Sequence, residues 1–386
     1  MPTSATVVIA GGGLTGCLTG LVLQRKFPQA RIVILDQQSG EPRQDPRGLA
    51  LALRTQEVLA EYGVWRDELA NSPAIRNIHV SDANSPGTMT MHAAWVKLPA
   101  LGYVAMAGLL QKQLTAACQR QALEHRFDVT ITALKAQAHG YLLQLSTGEE
   151  LHADLLVVAE GGNSSTRNLL GVAMQQFAYE QVAVAAHVTF AKQHQGWAYE
   201  RFTSTGPAAL LPQGRDQAAL VWCMTAEQAQ QLHSATETER LRQVQRVFGA
   251  APGRIQDLQL QATFPLQLAL AERVVGHRHV ILGNAAHTLH PVAGQGYNLA
   301  VRDILDLAES LHEQDFASIG QLSHYEARRQ HDYQEIITLT HGLVTVFSNT
   351  DTLWRNVRSK GLYLMRTCNL LSRPLMRKAM GFRSLI

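Results

Sequence analysis

The chain has few of the residues that mark several protein classes. Its four cysteines, Cys17, Cys118, Cys223 and Cys368, lie far apart and form no C-x-x-C pair, which argues against a disulfide framework and against a thiolate zinc site. No other metal-ligand spacing appears, so no metal is expected. No uncharged apolar run reaches the ~18 residues that a bilayer crossing needs. The first apolar run has no basic stretch ahead of it and passes straight into glycines, so it reads as a strand and not as a signal peptide. Aromatics are 6% of the chain, charged residues 17%, and no basic cluster in its body is interleaved with aromatics, so nucleic acid is not an expected partner despite a formal net charge of +3. Repeats and low-complexity tracts are absent. The expected setting is the cytoplasm, with contact at the inner membrane surface open.

What is present is bulk and glycine. With 386 residues, 46% of them hydrophobic, the chain exceeds one ordinary domain and can bury a large core. Thr6–Ala10 and Arg31–Leu35 read as short buried strands around a helix over Leu14–Lys26, which makes a βαβ unit. Helical spacing recurs over 55–62 and 109–125, and 154–159 is another apolar strand. From 182 to 223 the texture becomes short alternating runs, VAVAAHVTF, WAYERF and AALVWC, broken by glycine and proline, which predicts antiparallel sheet. A helix over 237–248 and further strand to 268 follow, then a strand over 279–282, and after Gln295 the pattern is almost all helix.

Two glycine-rich stretches carry the chemistry. Gly11, Gly13 and Gly16 supply G-x-G-x-x-G between a strand and a helix, and Asp36 ends the next strand. That pattern gives a tight turn, a close approach for a pyrophosphate, close helix–strand packing, and an acid for a ribose hydroxyl. The second stretch, GNAAHTLHPVAGQGYNLAVRD over 283–303, runs from a buried strand through Gly283, Asn284, Pro291 and Gly294 into a helix carrying Gln295, Gly296 and Asn298. Helix N-termini offer unpaired N–H groups and partial positive charge, and a reduced flavin gains negative charge at its pyrimidine edge. Two seats this far apart suit a long cofactor, FAD, with adenosine at the first and the ring at the second. Between them, AEGGNSSTR over 159–167 follows a strand. Glu160 and Gly161 there either touch the cofactor or belong to a plain helix start capped by Ser164. Arg47 is read either as closing over the cofactor or as an ordinary salt-bridge residue. His287 and His290 flank the second seat and are read as hydrogen-bonded structural residues. Leu210, Leu211, Trp222 and Phe264 are read as sheet core with a lesser share in an apolar pocket.

Together these residues resemble the single-component FAD-dependent aromatic hydroxylases. The fingerprints of that family, G-x-G-x-x-G, D-G-x-x-S-x-x-R and G-D-A-A-H-x-x-x-P-x-x-G-Q-G, stand here as GGGLTG, EGGNSSTR and GNAAHTLHPVAGQG, in the same order. HVSDA (79–83), YERFTSTGPAALLP (199–212) and ALVWC (219–223) make the chain most similar to the branch acting in ubiquinone biosynthesis. Two positions depart from the pattern, Glu160 and Asn284, where the family has Asp. An amide oxygen at Asn284 still accepts a hydrogen bond from a ribityl hydroxyl, without the charge.

The resemblance implies an α/β fold, a FAD-binding Rossmann-like domain with an inserted antiparallel β-sheet substrate domain and a helical C-terminus. The expected boundaries are 1–73, 102–175 and 268–340 for the FAD domain, 74–101 and 176–267 for the substrate domain, and 341–386 for the helical region. It also implies transient NAD(P)H as electron donor, dioxygen as oxygen source and a polyprenylated methoxyphenol ring as substrate. Pro291 and the Gly294–Gly296 backbone are the expected surroundings of the flavin ring and the oxygen. Residues 351–386 hold eight Lys or Arg against one Asp, interleaved with Leu, Met and Tyr. Such a segment fits an anionic membrane surface, other ubiquinone-biosynthesis proteins, or a solvated face.

Overall fold

The strand Thr6–Ala10 lies inside the parallel sheet because Val7, Val8, Ile9 and Ala10 are all buried, which suits strands covered on both faces. The computed structural model describes residues 5–41, 45–83, 87–290 and 294–348. Its six-stranded sheet runs Val275–Gly276, His279–Ile281, Leu155–Val158, Thr6–Ala10, Arg31–Leu35, Glu124–Arg126. All neighbours are parallel except the first pair. Helices Leu14–Lys26, Ala107–Arg120 and Gln295–Ser310 cover one face with Leu18, Leu21, Leu110, Leu114, Ile304 and Leu307. A three-stranded antiparallel sheet of Ile131–Gln137, Gly140–Leu145 and Glu150–Ala153 covers the other, packing Leu143 and Leu145 against Val8 and Val33.

The second large body is an eight-stranded sheet ordered His287–Thr288, Ile255–Ala271, Met174–Phe190, Gln217–Thr225, Gly206–Pro212, Trp197–Thr203, Asn77–Asp82, Thr88–His92. Its neighbours are antiparallel except Trp197–Thr203 with Asn77–Asp82. Two helices close its outer face. Ala226–Ser234 starts in a capping box between Thr225 and Gln228, and Glu237–Phe248 starts at Thr236, whose hydroxyl accepts from Glu239 N. Their apolar sides bring Leu232, Val244 and Phe248 onto the sheet. The inner face looks toward the nucleotide-type sheet. A smaller antiparallel sheet, Gly48–Ala52, Gly102–Met106 and Ala74–Ile75, stands between the two.

Several expectations need correction. The helix expected over 109–125 ends at Arg120, and residues 124–126 pair as an edge strand beside Arg31–Leu35. The triplet Glu-His-Arg has no strand-like alternation, and its pairing is supported by the Arg31–Glu124 ion pair at 2.9 Å, a contact across the sheet that local pattern does not reveal. The structure adds the 131–153 hairpins and the strand Gly48–Ala52. The long helix Ile319–Ser348 follows Gln295–Ser310, as the helical texture predicts. Among the described residues no helix is long and apolar enough to cross a membrane, and no cluster of three or more His, Cys, Asp or Glu could hold a metal.

Candidate active site

A cavity of about 1630 Å³ runs from the first glycine loop to the inner face of the eight-stranded sheet. At its first end the strand Thr6–Ala10 turns into Leu14–Lys26 through Gly11, whose φ is +106°. A side chain on Gly11 would lie 2.5 Å from the Ala159 carbonyl oxygen, and one on Gly16 would lie 1.8 Å from the Gly11 oxygen. These two glycines therefore serve the packing of the protein on itself. Gly13, the N-cap, meets nothing within 4 Å and borders the cavity. Gln111 steadies the loop by donating from Nε2 to the Gly12 oxygen at 2.8 Å. Asp36, 7% exposed, borders the same end and accepts from Gln38 N at 3.1 Å.

The second end is the start of Gln295–Ser310. Gly294 is the N-cap, with φ +59°, and a side chain there would come 2.9 Å from Ala50 Cβ. Gly296, like Gly13, meets nothing within 4 Å. Gly294, Gln295, Gly296 and Asn284 all border the cavity. Pro291 lies outside the described residues. Gly283 does not border the cavity: its φ of +59° and its approach to Thr15 Oγ1, 2.7 Å from an added Cβ, show a loop pressed onto the first helix.

Three of the residues named for the cofactor, Glu160, Asn298 and Arg47, have side chains engaged with protein. Glu160 borders the cavity, but its carboxylate accepts from Ser164 Oγ at 2.5 Å, Thr166 Oγ1 at 2.7 Å and Thr166 N at 2.9 Å. It fastens the start of Ser165–Leu169, where Ser164 also caps Arg167 N. Arg167, 5% exposed, then donates to the Gly162 and Ala285 oxygens, tying this turn to the second seat. Asn298 uses its whole amide on protein. Its Oδ1 accepts from Ala52 N and Thr55 Oγ1, both at 2.8 Å, and its Nδ2 donates to the Ala50 and Gly294 oxygens. Arg47 is paired with Asp45 at 2.6 Å, and that hydrogen bond holds its guanidinium above the ordinary value although it borders the cavity. Gly161, φ +90°, leaves open space.

Behind the second seat lies a buried ionic knot that sequence reading missed. Arg329 on Ile319–Ser348 contacts Asp303 at 2.8 Å, Asp306 at 2.8 Å and Asp332 at 2.6 Å, and Asp303 also meets His287 Nε2 at 2.7 Å. Burial pushes the Asp303 carboxyl up, but Arg329 and His287 outweigh it and hold it below the usual range. His287 is thus the structural residue expected. His290 borders the cavity, touches Gln181 at 3.3 Å, and is pushed down to about 4 by burial.

The sheet forms the far wall. Leu211 and Phe264 line the cavity, whereas Leu210 and Trp222 pack on the outer face under the helices. Glu200, inside the YERF stretch that carries part of the resemblance but given no role by it, lies on the inner wall between Ala198 and Phe202. The signal was available in WAYERF: with Ala198 and Phe202 facing inward, strand alternation turns Glu200 inward too.

The cavity therefore has two bare helix starts at one side and a sheet wall at the other, which fits an elongated dinucleotide cofactor with room for a second molecule. The chain belongs to the FAD binding domain family, whose model matches residues 4–340, and FAD is its cofactor. It is 32% identical to the ubiquinone hydroxylase UbiL of Rhodospirillum rubrum over 98% of this chain and 90% of that protein. It is 28% identical to the 3-demethoxyubiquinol 3-hydroxylase of Escherichia coli, over 97% of this chain and 98% of the relative. The solved p-nitrophenol 4-monooxygenase PnpA of Pseudomonas putida DLL-E4 shares the fold, with TM-score 0.76 and 19% identity, and each chain is covered to 100%. The chain is a flavoprotein monooxygenase.

Proposed function

We propose that this enzyme hydroxylates the ring of a polyprenylated methoxyphenol in ubiquinone biosynthesis, with NAD(P)H as transient electron donor and dioxygen as the source of the new oxygen. The observation that carries this reading is the continuity of one cavity from two helix starts to an apolar sheet wall. Bound FAD supplies the two-electron reduction and the activation of dioxygen.

The chain's own residues do the rest. The bare backbone at Gly13 and the N-terminus of Leu14–Lys26 hold the pyrophosphate, and the Asp36 carboxylate accepts from a ribose hydroxyl. Asn284 accepts from the ribityl chain. The N–H groups at Gln295 and Gly296 would hold the flavin ring and stabilise the negative charge it gains on reduction, and Asn298 keeps that helix start in place. Gly11, Gly16, Gly283, Gly161, Glu160 and Arg47 shape and fasten the seat. Pro291, expected in the ring surroundings from the resemblance, lies outside the described residues. The FAD-binding part is formed by 1–73, 102–175 and 268–340, and the substrate part by 74–101 and 176–267. Ile78, Val80, Met89 and Met91 give the isoprenoid tail an apolar lane that excludes water.

Residues 351–386, outside the described residues, bring the enzyme to an anionic membrane surface or to other proteins of the pathway. Truncation before 351 then lowers binding to anionic liposomes with little change in FAD content; unchanged liposome binding refutes that role. For the reaction, the purified protein shows a flavin spectrum that NAD(P)H bleaches faster when a prenylated methoxyphenol is added. Mass spectrometry then finds one added oxygen and identifies the ring carbon. A flavin that stays oxidised with both present marks a non-catalytic subunit and overturns the proposal.

A further inference from the structure

We propose that Glu200 is the residue that receives the ring hydroxyl of the substrate, accepts its proton during oxygen transfer, and thereby fixes which ring carbon faces the cofactor. This rests on the function proposed above and adds a residue that the family's fingerprints do not contain.

The argument begins with strand register. Reading across the inner wall, Val80, Glu200, Ala209, Val221, Ala185 and Ala262 stand opposite one another in turn on six successive strands. All six border the cavity. Five are small and apolar, and the sixth is a carboxylic acid. Its strand neighbours are engaged elsewhere: Tyr199, which also borders the cavity, stacks with Trp197, and Arg201 donates to Ser81 Oγ at 3.1 Å. Among the described residues no donor or cation meets the Glu200 carboxylate. It is half-buried at the cavity wall without being packed against a partner.

An acid that borders an apolar cavity without a protein partner is open to a ligand that brings a hydrogen-bond donor. Burial alone pushes Glu200 up to about 8. Against a phenol near 10, the difference in proton affinity falls to roughly 10², from about 10⁶ for a solvated glutamate. Glu200 therefore binds a phenol hydroxyl strongly and can take its proton as the ring is attacked. The other titratable groups bordering the cavity are engaged elsewhere: Tyr199 stacks with Trp197, Tyr297 OH donates to the Leu14 oxygen, Arg302 pairs with Asp332 at 3.0 Å and Asp45 pairs with Arg47. The Cys223 thiol is held protonated by burial and by Glu200 itself, His187 is bound to Gln213 at 2.6 Å, and His290 is at the second seat. Asp36, Arg47 and Glu160 belong to the cofactor end.

The proton and electron accounts close. The phenol O–H bond breaks, its electron pair stays on the ring oxygen, and the proton goes to Glu200. A ring carbon ortho or para to that oxygen gains a hydroxyl group from dioxygen. The second oxygen atom leaves as water with the two electrons of the nicotinamide donor. The proton on the hydroxylated ring carbon is then lost as aromaticity returns, and Glu200 gives its proton back to the ring oxygen.

The test uses the full-length, FAD-loaded protein with Glu200→Gln and Glu200→Leu, a short-chain prenylated methoxyphenol, and the O-methyl ether of that phenol. Binding is read from the flavin absorbance change, without turnover. Wild type should prefer the phenol over the ether by about 10- to 100-fold, and Glu200→Leu should bind the two within about threefold. In turnover, wild-type kcat/KM should rise with pH through about 8. Glu200→Gln should lose that limb and form product at least ~10²-fold more slowly while still oxidising NAD(P)H. Neither variant should melt below wild type, because no protein partner is lost. A Glu200→Gln enzyme with the wild-type pH profile and product yield overturns the proposal, as does a Glu200→Leu enzyme that still discriminates the ether. A wild type that turns over no prenylated phenol overturns the proposed reaction instead, and the binding comparison still decides Glu200.

Discussion

The two helix starts that face the cavity present the same bare backbone, at Gly13 and at Gly296, but are held in opposite ways. The first is built by subtraction. Gly11 and Gly16 permit contacts that any side chain would block, and the start of Leu14–Lys26 has no side-chain cap. The second is built by addition: four hydrogen bonds from Asn298, and behind them the Arg329 knot reaching His287 through Asp303. A seat of glycine and backbone has few rotamers to change, here chiefly that of Gln111 on the Gly12 oxygen. A seat of polar side chains is as firm as its least satisfied partner.

The sharpest contrast comes from the glycines of the first seat. Gly13→Val has open space and should leave the circular-dichroism spectrum unchanged, yet weaken FAD binding on the order of 10²- to 10⁴-fold by removing charge-assisted backbone contacts to the pyrophosphate. Gly16→Val, forced against the Gly11 oxygen, should lose fold and flavin together. A yellow Gly13→Val protein would show that the pyrophosphate lies elsewhere.

At the second seat the largest effect belongs to Arg329→Ala. It leaves Asp303 buried with His287 as its remaining contact and takes one of two arginines from Asp306, which keeps Arg328 at 3.0 Å, a change worth about 3–5 kcal/mol in unfolding experiments. FAD fluorescence should appear at lower urea than the loss of helical signal, because the seat loosens before the whole protein does. Coincident transitions would mean that the knot supports the fold generally and not this seat. Asn298→Ala should cost less, about 1–3 kcal/mol, chiefly from the buried Ala52 N–H left without an acceptor. Its melting temperature and FAD affinity should fall together, whereas Gly13→Val lowers only the second.

The same contrast explains what the sequence could disclose. The first seat lies within one βαβ unit, so spacing between Gly11 and Asp36 carries its geometry. The second depends on Ala50, Ala52, Thr55 and Arg329, which arrive from distant segments, and nothing near Asn298 says that its amide is already used. Glu160 was ambiguous for a related reason. A carboxylate beside a glycine turn reads equally as a ligand for cofactor or as a brace for its own helix, and the hydrogen bonds that show the brace come from Ser164 and Thr166, further along the turn. The antiparallel texture after 182 was legible because alternation is local, but the apolar row containing Glu200 exists only once six strands are in register.

The smallest expected effect is a pH dependence that separates the seats. His290 stands at the second, and burial holds its folded value near 4, below the unfolded value of 6.5. The unfolded chain therefore binds the extra proton first as pH falls, so stability present above about 6.5 is lost progressively toward 4. His279, in the parallel sheet against Tyr141 OH at 2.9 Å, is also pushed down to about 4 and adds to the same acid limb. Replacing His290 with Gln keeps a hydrogen-bonding group near Gln181 and removes the titration. Melting curves at pH 7 and pH 5 should then draw closer together than in wild type, and acid release of FAD should shift to lower pH. If His290→Gln steepens the acid limb instead, His290 gains a partner on protonation, and the second seat is the more acid-tolerant of the two.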